Sequence, residues 1–131
     1  MSLKDLPFGI VMIVRAEALM ALLHLIGGLV LYVYAPSLST TPTLFAAYGA
    51  ATMRMVGTIL AAIGMLDALC ALALRSGSAG GLIVGMTSAL LSLSATLFLL
   101  TLGFLAGLMN LAVNVAVPLY LMRWDVRQEY L

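Results

Sequence analysis

The first hydrophobic stretch, Pro7 to Tyr34, constrains this chain more than any other part of its sequence. It exceeds the roughly 20 apolar residues that a helix needs to cross a bilayer core of about 30 Å. It nevertheless contains Arg15, Glu17 and His24. Ionisable groups at membrane depth are costly, and they normally face a bundle interior, a partner or a water-filled cavity. The stretch therefore predicts a transmembrane helix that carries ionisable side chains at depth.

The whole chain has the composition of a membrane protein. Only 8% of its 131 residues are charged, whereas soluble proteins contain about 25%. This length accommodates four crossings with short loops, so we expect an all-α fold: a four-helix transmembrane bundle that forms one domain over residues 1–131. The net charge of +1 gives no basis for nucleic-acid binding. The single Cys70 excludes an intrachain disulfide and a thiolate metal cluster.

Proline, glycine and serine divide the chain into helices. Pro36 is expected to end the first helix, because proline lacks the N–H that the next turn needs. The apolar run after Pro42 is too long for one untilted crossing, so we expect a short interfacial helix over 43–50 before the second transmembrane helix. The predicted transmembrane helices cover residues 8–34, 53–74, 82–102 and 104–122.

The basic residues predict the orientation. They flank the N-terminus, the second loop and the C-terminus, which share one side of the membrane if there are four crossings. The positive-inside rule makes that side the cytoplasm, so both termini are predicted to be cytoplasmic. The protein is thus expected to be a multi-pass protein of the cell membrane. The residues that carry this argument are Lys4, Arg75, Arg123 and Arg127.

Polar side chains of all four predicted helices fall at a similar depth, counted at 1.5 Å per residue. We expect them to meet in an intramembrane polar layer, with Arg15 paired to Asp67 and Glu17 close to Asn114 and the hydroxyls of helix three. This layer has one more carboxylate than cation, so Glu17 should be protonated or should attract a cation. The predicted layer comprises Arg15, Glu17, Asp67, Thr87, Ser88 and Asn114.

A polar seam extends from this layer into the outer half of the membrane. Glu17 and His24 are two helical turns apart on one face of helix one, and Asn110 and Asn114 share a face of helix four. The seam is either a proton or ion path or the hydrogen-bonded core of a small bundle. Ser92 and the other hydroxyls of helix three are interpreted as packing contacts between helices and not as ligands.

Small residues predict close helix packing, in the small-xxx-small pattern of membrane helices. The candidate positions are Gly27, Gly28, Gly81, Gly85, Gly103 and Gly107. We expect no metal and no cofactor, because His24 has no second His or Cys at ligand spacing. The sequence contains no arrangement of nucleophile, base and orienting group, so we do not expect an enzyme.

The opening of the chain resembles that of small uncharacterised four-helix membrane proteins of archaea and bacteria. The resemblance rests on Pro7, Gly9 and Ile10, on Glu17 ten residues after the proline, and on the Gly27-Gly28 pair. The tail over 120–131 is similar to their tyrosine-rich, basic endings. Leu6 stands where that group has an arginine, and Arg15 and His24 within the helix are further departures. The resemblance implies a four-helix architecture without an assigned activity.

The chain is also similar in architecture to the small multidrug resistance transporters, which have four helices and use a glutamate in helix one as the proton and substrate site. Glu17 occupies an equivalent place, although helix three lacks the aromatic and Trp-Gly content of that family. This similarity implies a fold by analogy and not a substrate.

Two functions follow as expectations. The first is an accessory or structural subunit of a membrane complex, without enzymatic activity, which packs against itself or a larger assembly. The alternative is a minimal proton- or cation-coupled transporter or channel with Glu17 as the titrating site. Both place the chain in a lipid bilayer, as a homo-oligomer or within a larger membrane complex.

Overall fold

Three long helices and a shorter one make up most of the chain. The computed structural model describes residues 6–40, 47–103 and 107–131, and all regular secondary structure in these ranges is helical. Helices α1, α2 and α3 are long and apolar enough to cross a membrane, whereas α4 has 15 residues. The four crossings and the side on which the termini lie stay predictions. The helices are α1 (Phe8–Thr40), α2 (Ala50–Arg75), α3 (Ala79–Thr101), α4 (Gly107–Leu121) and the short α5 (Trp124–Gln128).

The first helix is longer than predicted. It continues through Pro36 to Thr40, so the expectation that Pro36 ends it is wrong. Ala35 is fully buried and packs in one cluster with residues of α2. The hydroxyls of Ser39 and Thr40 donate to the Pro36 carbonyl at 3.0 and 3.2 Å. Packing against α2 and these local bonds keep the last turns helical although proline removes one backbone donor.

The other helix ends differ from the predictions by a few residues. The predicted interfacial helix over 43–50 lies partly outside the described residues, and its described part at 47–49 precedes α2 as a turn. Helix α3 begins at Ala79 because the Ser78 side chain accepts a hydrogen bond from the Gly81 amide at 3.0 Å and caps the helix. The predicted start of the fourth helix at residue 104 falls outside the described residues. Helix α5 was not predicted.

Helices α1 and α2 approach each other backbone to backbone. A methyl group at Gly28 would lie 2.6 Å from the Gly57 carbonyl oxygen, and one at Gly64 would lie 2.9 Å from that of Ala21. The two contacts are seven residues apart on α1 and seven residues apart on α2, in opposite chain directions. This is the pattern of two antiparallel helices packed along one seam. We call this contact the small-residue seam. Its buried members recur every seven positions: Ala21, Gly28 and Ala35 on α1, and Gly57, Gly64 and Ala71 on α2.

The remaining predicted packing glycines occupy different environments. A methyl group at Gly81, Gly85 or Gly107 would meet atoms outside its own turn at 3.1 Å or less. Gly103 follows α3 with a φ of 84°, in the left-handed region that favours glycine. At Gly27 a methyl group would meet only a leucine side chain at 3.5 Å, an ordinary contact.

The end of the bundle where α1 begins is closed by the C-terminal part of the chain. Ile10, Leu74 and Val117 share a hydrophobic cluster with Val126 and Tyr130, so α1, α2, α4 and α5 meet there. The Tyr130 hydroxyl donates to the Leu74 carbonyl at 2.9 Å. Burial raises the pKa of Tyr130 to about 12, so this hydroxyl remains a donor across the physiological range. The cluster at the opposite end contains residues of α1, α2 and α3.

Replacing Gly28 with alanine should destabilise the bundle, because the added methyl group meets the Gly57 backbone and forces α1 away from α2. We expect Gly28→Ala to lower the free energy of unfolding by about 1–3 kcal/mol, the usual cost of overpacking. Gly27→Ala is the matched control and should change it by less than about 0.5 kcal/mol. Thermal unfolding in detergent micelles measures both. Equal stability of the two variants would show that the helices are not in backbone contact.

Candidate functional site

The helices place a row of polar side chains in the core because those side chains recur at helical spacing. Ser92 and Thr96 are four residues apart on the buried face of α3, and Asn110 and Asn114 are four apart on the buried face of α4. All four are at most 2% exposed, and so is Asp67 of α2. A polar side chain in an apolar environment needs a hydrogen-bond partner, and these side chains supply partners for one another.

Hydrogen bonds join the four helices through this row. His24 Nδ1 lies 2.8 Å from Asp67 Oδ2, and the Ser92 hydroxyl donates to Asp67 Oδ1 at 2.6 Å. The Asn110 amide donates to Ser92 Oγ at 3.3 Å and to Thr96 Oγ1 at 2.6 Å. Asn114 Nδ2 in turn donates to Asn110 Oδ1 at 2.8 Å. We call the set the buried polar chain; its members are His24, Asp67, Ser92, Thr96, Asn110 and Asn114.

The donors of the buried polar chain point towards Asp67. The carboxylate only accepts, so Ser92 must donate to it and use its oxygen to accept from Asn110. Asn114 Nδ2 also lies 3.0 Å from the Asn110 backbone carbonyl, which only accepts, and this contact fixes the orientation of the Asn114 amide. The orientation of each side chain is thus fixed by its neighbour, and the donor-to-acceptor direction of the hydrogen bonds ends at Asp67.

Three buried oxygen atoms lack a hydrogen-bond donor among the described residues: Glu17 Oε1, Glu17 Oε2 and Asn114 Oδ1. Both side chains are 0% exposed. The Asn114 oxygen is orphaned because its amide nitrogen is held by Asn110. An unsatisfied buried acceptor costs roughly 1–3 kcal/mol, and a buried ionised carboxylate without partners costs more. These atoms are the most unusual feature of the core.

Glu17 and Asn114 each stand one helical turn from a residue of the same hydrophobic cluster. Val14 and Val117, each one turn away from them on the same face, belong to one hydrophobic cluster together with Cys70. The orphaned atoms of α1 and α4 therefore both border this hydrophobic cluster.

The pairing of Arg15 with Asp67 expected from the sequence is wrong. Arg15 is exposed on the outer surface of α1 and forms no ion pair with a described residue. Residues two apart on a helix differ by about 200° in direction, so Arg15 points outward because Glu17 points inward. The partner of Asp67 is His24, which the sequence analysis placed in the outer part of the seam.

The hydroxyls of α3 are distributed differently from the expectation. Thr87 is exposed and bonds to the carbonyl of Ile83 in its own helix, so it does not belong to the polar layer. Ser88 is 2% exposed, near the level of Asn114. Ser92 and Thr96 make the hydrogen bonds across helices, which is the role expected for hydroxyls that hold membrane helices together. The four-residue spacing of Ser88, Ser92 and Thr96 was the signal that could have identified them.

The buried polar side chains are more suitable for binding protons than for binding a metal ion. The described residues contain no group of three His, Cys, Asp or Glu side chains that could hold a metal ion. His24 and Asp67 form an acid–base pair, and Glu17 adds a second carboxyl in the same core. Chemically, such a core can bind and release protons within a low-dielectric environment.

Comparison with known proteins adds no further assignment. No family model, no curated protein and no solved structure matches this chain. The resemblances described from the sequence therefore stay predictions, and the function is inferred from the side chains themselves.

Replacing Ser92 should destabilise the protein, because Asp67 loses a charge-assisted donor and Asn110 loses an acceptor. We expect Ser92→Ala to lower the free energy of unfolding by about 1–3 kcal/mol. Ser94→Ala is the matched control, since the Ser94 hydroxyl bonds only to the Leu90 carbonyl of its own helix. Its effect should stay below about 0.5 kcal/mol. Chemical unfolding in micelles distinguishes the two, and similar losses would contradict the buried polar chain.

Proposed function

We propose that this protein is a minimal proton-coupled transporter or channel of a cell membrane, with Glu17 as the titrating site. The single observation that carries the proposal is the fully buried Glu17 carboxyl, for which the described residues provide no donor. An ionisable group inside a membrane bundle is costly, and a purely structural contact needs only an uncharged side chain. Retaining a carboxyl there is best explained by binding and release of a proton.

The neutral and ionised forms of Glu17 require different surroundings. A protonated Glu17 has one O–H to donate, and Asn114 Oδ1, beside the same hydrophobic cluster, is an acceptor without a donor among the described residues. The two unsatisfied groups complement each other. An ionised Glu17 needs donors instead, and Asn114 can offer Nδ2 only by giving up its bonds to Asn110. Protonation of Glu17 is thereby linked to the orientation of the buried polar chain.

Asp67 and His24 supply a second proton-binding group. His24 lies two turns along α1 from Glu17, about 10 Å at 1.5 Å per residue. Its side chain is 9% exposed, and its Nε2 atom makes no hydrogen bond with a described residue. The pair therefore reaches from the core towards the outer surface of the bundle, while Asp67 remains hydrogen-bonded to Ser92. Two proton-binding groups at different depths support movement of protons along the bundle.

A second candidate function is an accessory or structural subunit of a membrane complex. It is favoured by the outer face of α1, which packs mainly against α2 and exposes large apolar side chains along much of its length. Such a face suits another helix of a homo-oligomer or of a larger complex as well as it suits lipid. Examples are Leu19, Leu22, Leu23, Ile26, Leu29 and Val33. This function does not require Glu17 to change its protonation state.

Glu17→Gln separates the two functions, because glutamine fills the same volume and cannot ionise. In bilayers of the wild type we expect infrared difference spectra to show a protonated carboxyl that responds to pH and is missing in Glu17→Gln. In proteoliposomes the variant should reduce proton flux driven by an imposed potential to the level of protein-free vesicles. Glu129→Gln, at an exposed carboxyl after α5, is the control and should leave both signals unchanged.

Two results would contradict the transport function. One is a Glu17 carboxyl that keeps one protonation state throughout the physiological pH range. The other is equal proton flux in the wild type and in Glu17→Gln. Either would favour the structural subunit, provided that the variant keeps its oligomeric state in size-exclusion chromatography.

A further inference from the structure

An apolar groove of about 410 Å³ lies on the outer surface between α1 and α2. Its floor is formed where the small-residue seam brings the two backbones together, so that no side chain fills the space. The Thr58 hydroxyl donates to the Arg54 carbonyl of its own helix at 2.9 Å and therefore adds no free donor. The groove is lined by Leu25, Gly28, Leu29, Tyr32, Gly57, Thr58 and Ala61.

Arg54 stands at one end of this groove. Arg54, Gly57, Thr58 and Ala61 follow the i, i+3, i+4, i+7 spacing of a single helix face, so the arginine continues the α2 wall of the groove. The guanidinium carbon lies 6.0 Å from the centroid of the Tyr32 ring, which belongs to the α1 wall. The positive charge is therefore held across the mouth of the groove by a cation–π contact.

Arg54 has no anionic partner among the described residues. The two ion pairs among the described residues, His24–Asp67 and Arg123–Asp125, do not involve Arg54. Of the described carboxyls, Glu17 and Asp67 are buried in the core, and Asp125 and Glu129 lie at the opposite end of the bundle. An exposed cation beside an apolar surface is complementary to a molecule that combines a negative group with a hydrocarbon chain.

The spacing of the two cations of α2 matches the thickness of a bilayer hydrocarbon core. Arg54 and Arg75 are the two cations of α2, and they are about 32 Å apart along the helix at 1.5 Å per residue. This separation equals the thickness of a bilayer hydrocarbon core, about 30 Å. At this spacing the two arginines are expected at the two membrane interfaces, so that the groove extends from Arg54 towards the hydrocarbon region.

We propose that this groove binds an anionic phospholipid, with the phosphate on Arg54 and the first part of an acyl chain between Tyr32 and Ala61. A second copy of the chain fits less well. In a dimer with a two-fold axis along the membrane normal, the two Arg54 side chains would lie at the same depth in the contact. Their like charges would repel each other. The inference does not depend on the proposed proton-coupled function, since it uses none of the residues of the buried polar chain.

The experiment compares phosphatidylglycerol with phosphatidylcholine on the purified full chain. Native mass spectrometry from micelles, with competition by a spin-labelled lipid, measures how much of each lipid is retained. We expect the wild type to prefer phosphatidylglycerol. Arg54→Gln should weaken its binding roughly tenfold by removing charge-assisted hydrogen bonds to the phosphate. Thr58→Phe, which fills the groove from an exposed position, should weaken it similarly with Arg54 intact.

Arg75→Gln is the matched control, because it removes one exposed cation from the same helix at the other interface. It should leave retention at the groove unchanged, and inorganic phosphate should not displace the lipid, because phosphate has no chain to occupy the groove. Equal losses in Arg54→Gln and Arg75→Gln would overturn the proposal in favour of unspecific charge attraction. Displacement by phosphate alone would overturn it as well. So would a Thr58→Phe variant that retains the lipid but changes the oligomeric state, which would identify a subunit interface.

Discussion

The close approach of α1 and α2 sets the geometry on which the rest of the bundle depends. Glycine and alanine at intervals of seven let two backbones come within contact of each other, and helices at that distance cannot rotate or slide without a clash. The small-residue seam therefore determines which other faces of α1 and α2 turn inward. It directs His24 and Glu17 into the core, beside Asp67, and it leaves a groove on the outside where side chains are missing.

The buried polar chain follows from the orientation of α1 and α2 about their axes. It also depends on the four-residue spacing of polar side chains along α3 and α4. Its six side chains bond to one another, so the described core leaves few polar atoms without partners. The exceptions among the described residues are oxygen atoms of Glu17 and Asn114. Because the rest of the buried polar chain is hydrogen-bonded, these atoms are more informative than unsatisfied atoms in an irregular core would be. They support a group that changes its partners when it gains or loses a proton.

The exposed charges of the outer surface occupy defined positions, as the buried polar side chains of the core do. Large apolar side chains cover the long helices, in accordance with helices that lie in a membrane. The exposed cations of α2 stand near its two ends and are spaced like the two interfaces of a bilayer. Arg15 is exposed nearer to the end where α1 begins, and its long side chain can reach the interface by extending along the helix. The bundle thus separates exposed cations on its outer surface from ionisable groups that face its interior.

Hydropathy alone predicted the all-helical class, the long apolar helices and the polar side chains that they carry, because these properties depend on local composition and periodicity. It did not predict the rotation of each helix about its axis. Helical spacing shows that Arg15 and Glu17 point in nearly opposite directions, yet contact between α1 and α2 determines which of them is inside. Packing against α2 likewise carries α1 through Pro36. The partners of Asp67, contributed by α1 and α3, follow from long-range packing, because residues distant in sequence meet only when whole helices are in place.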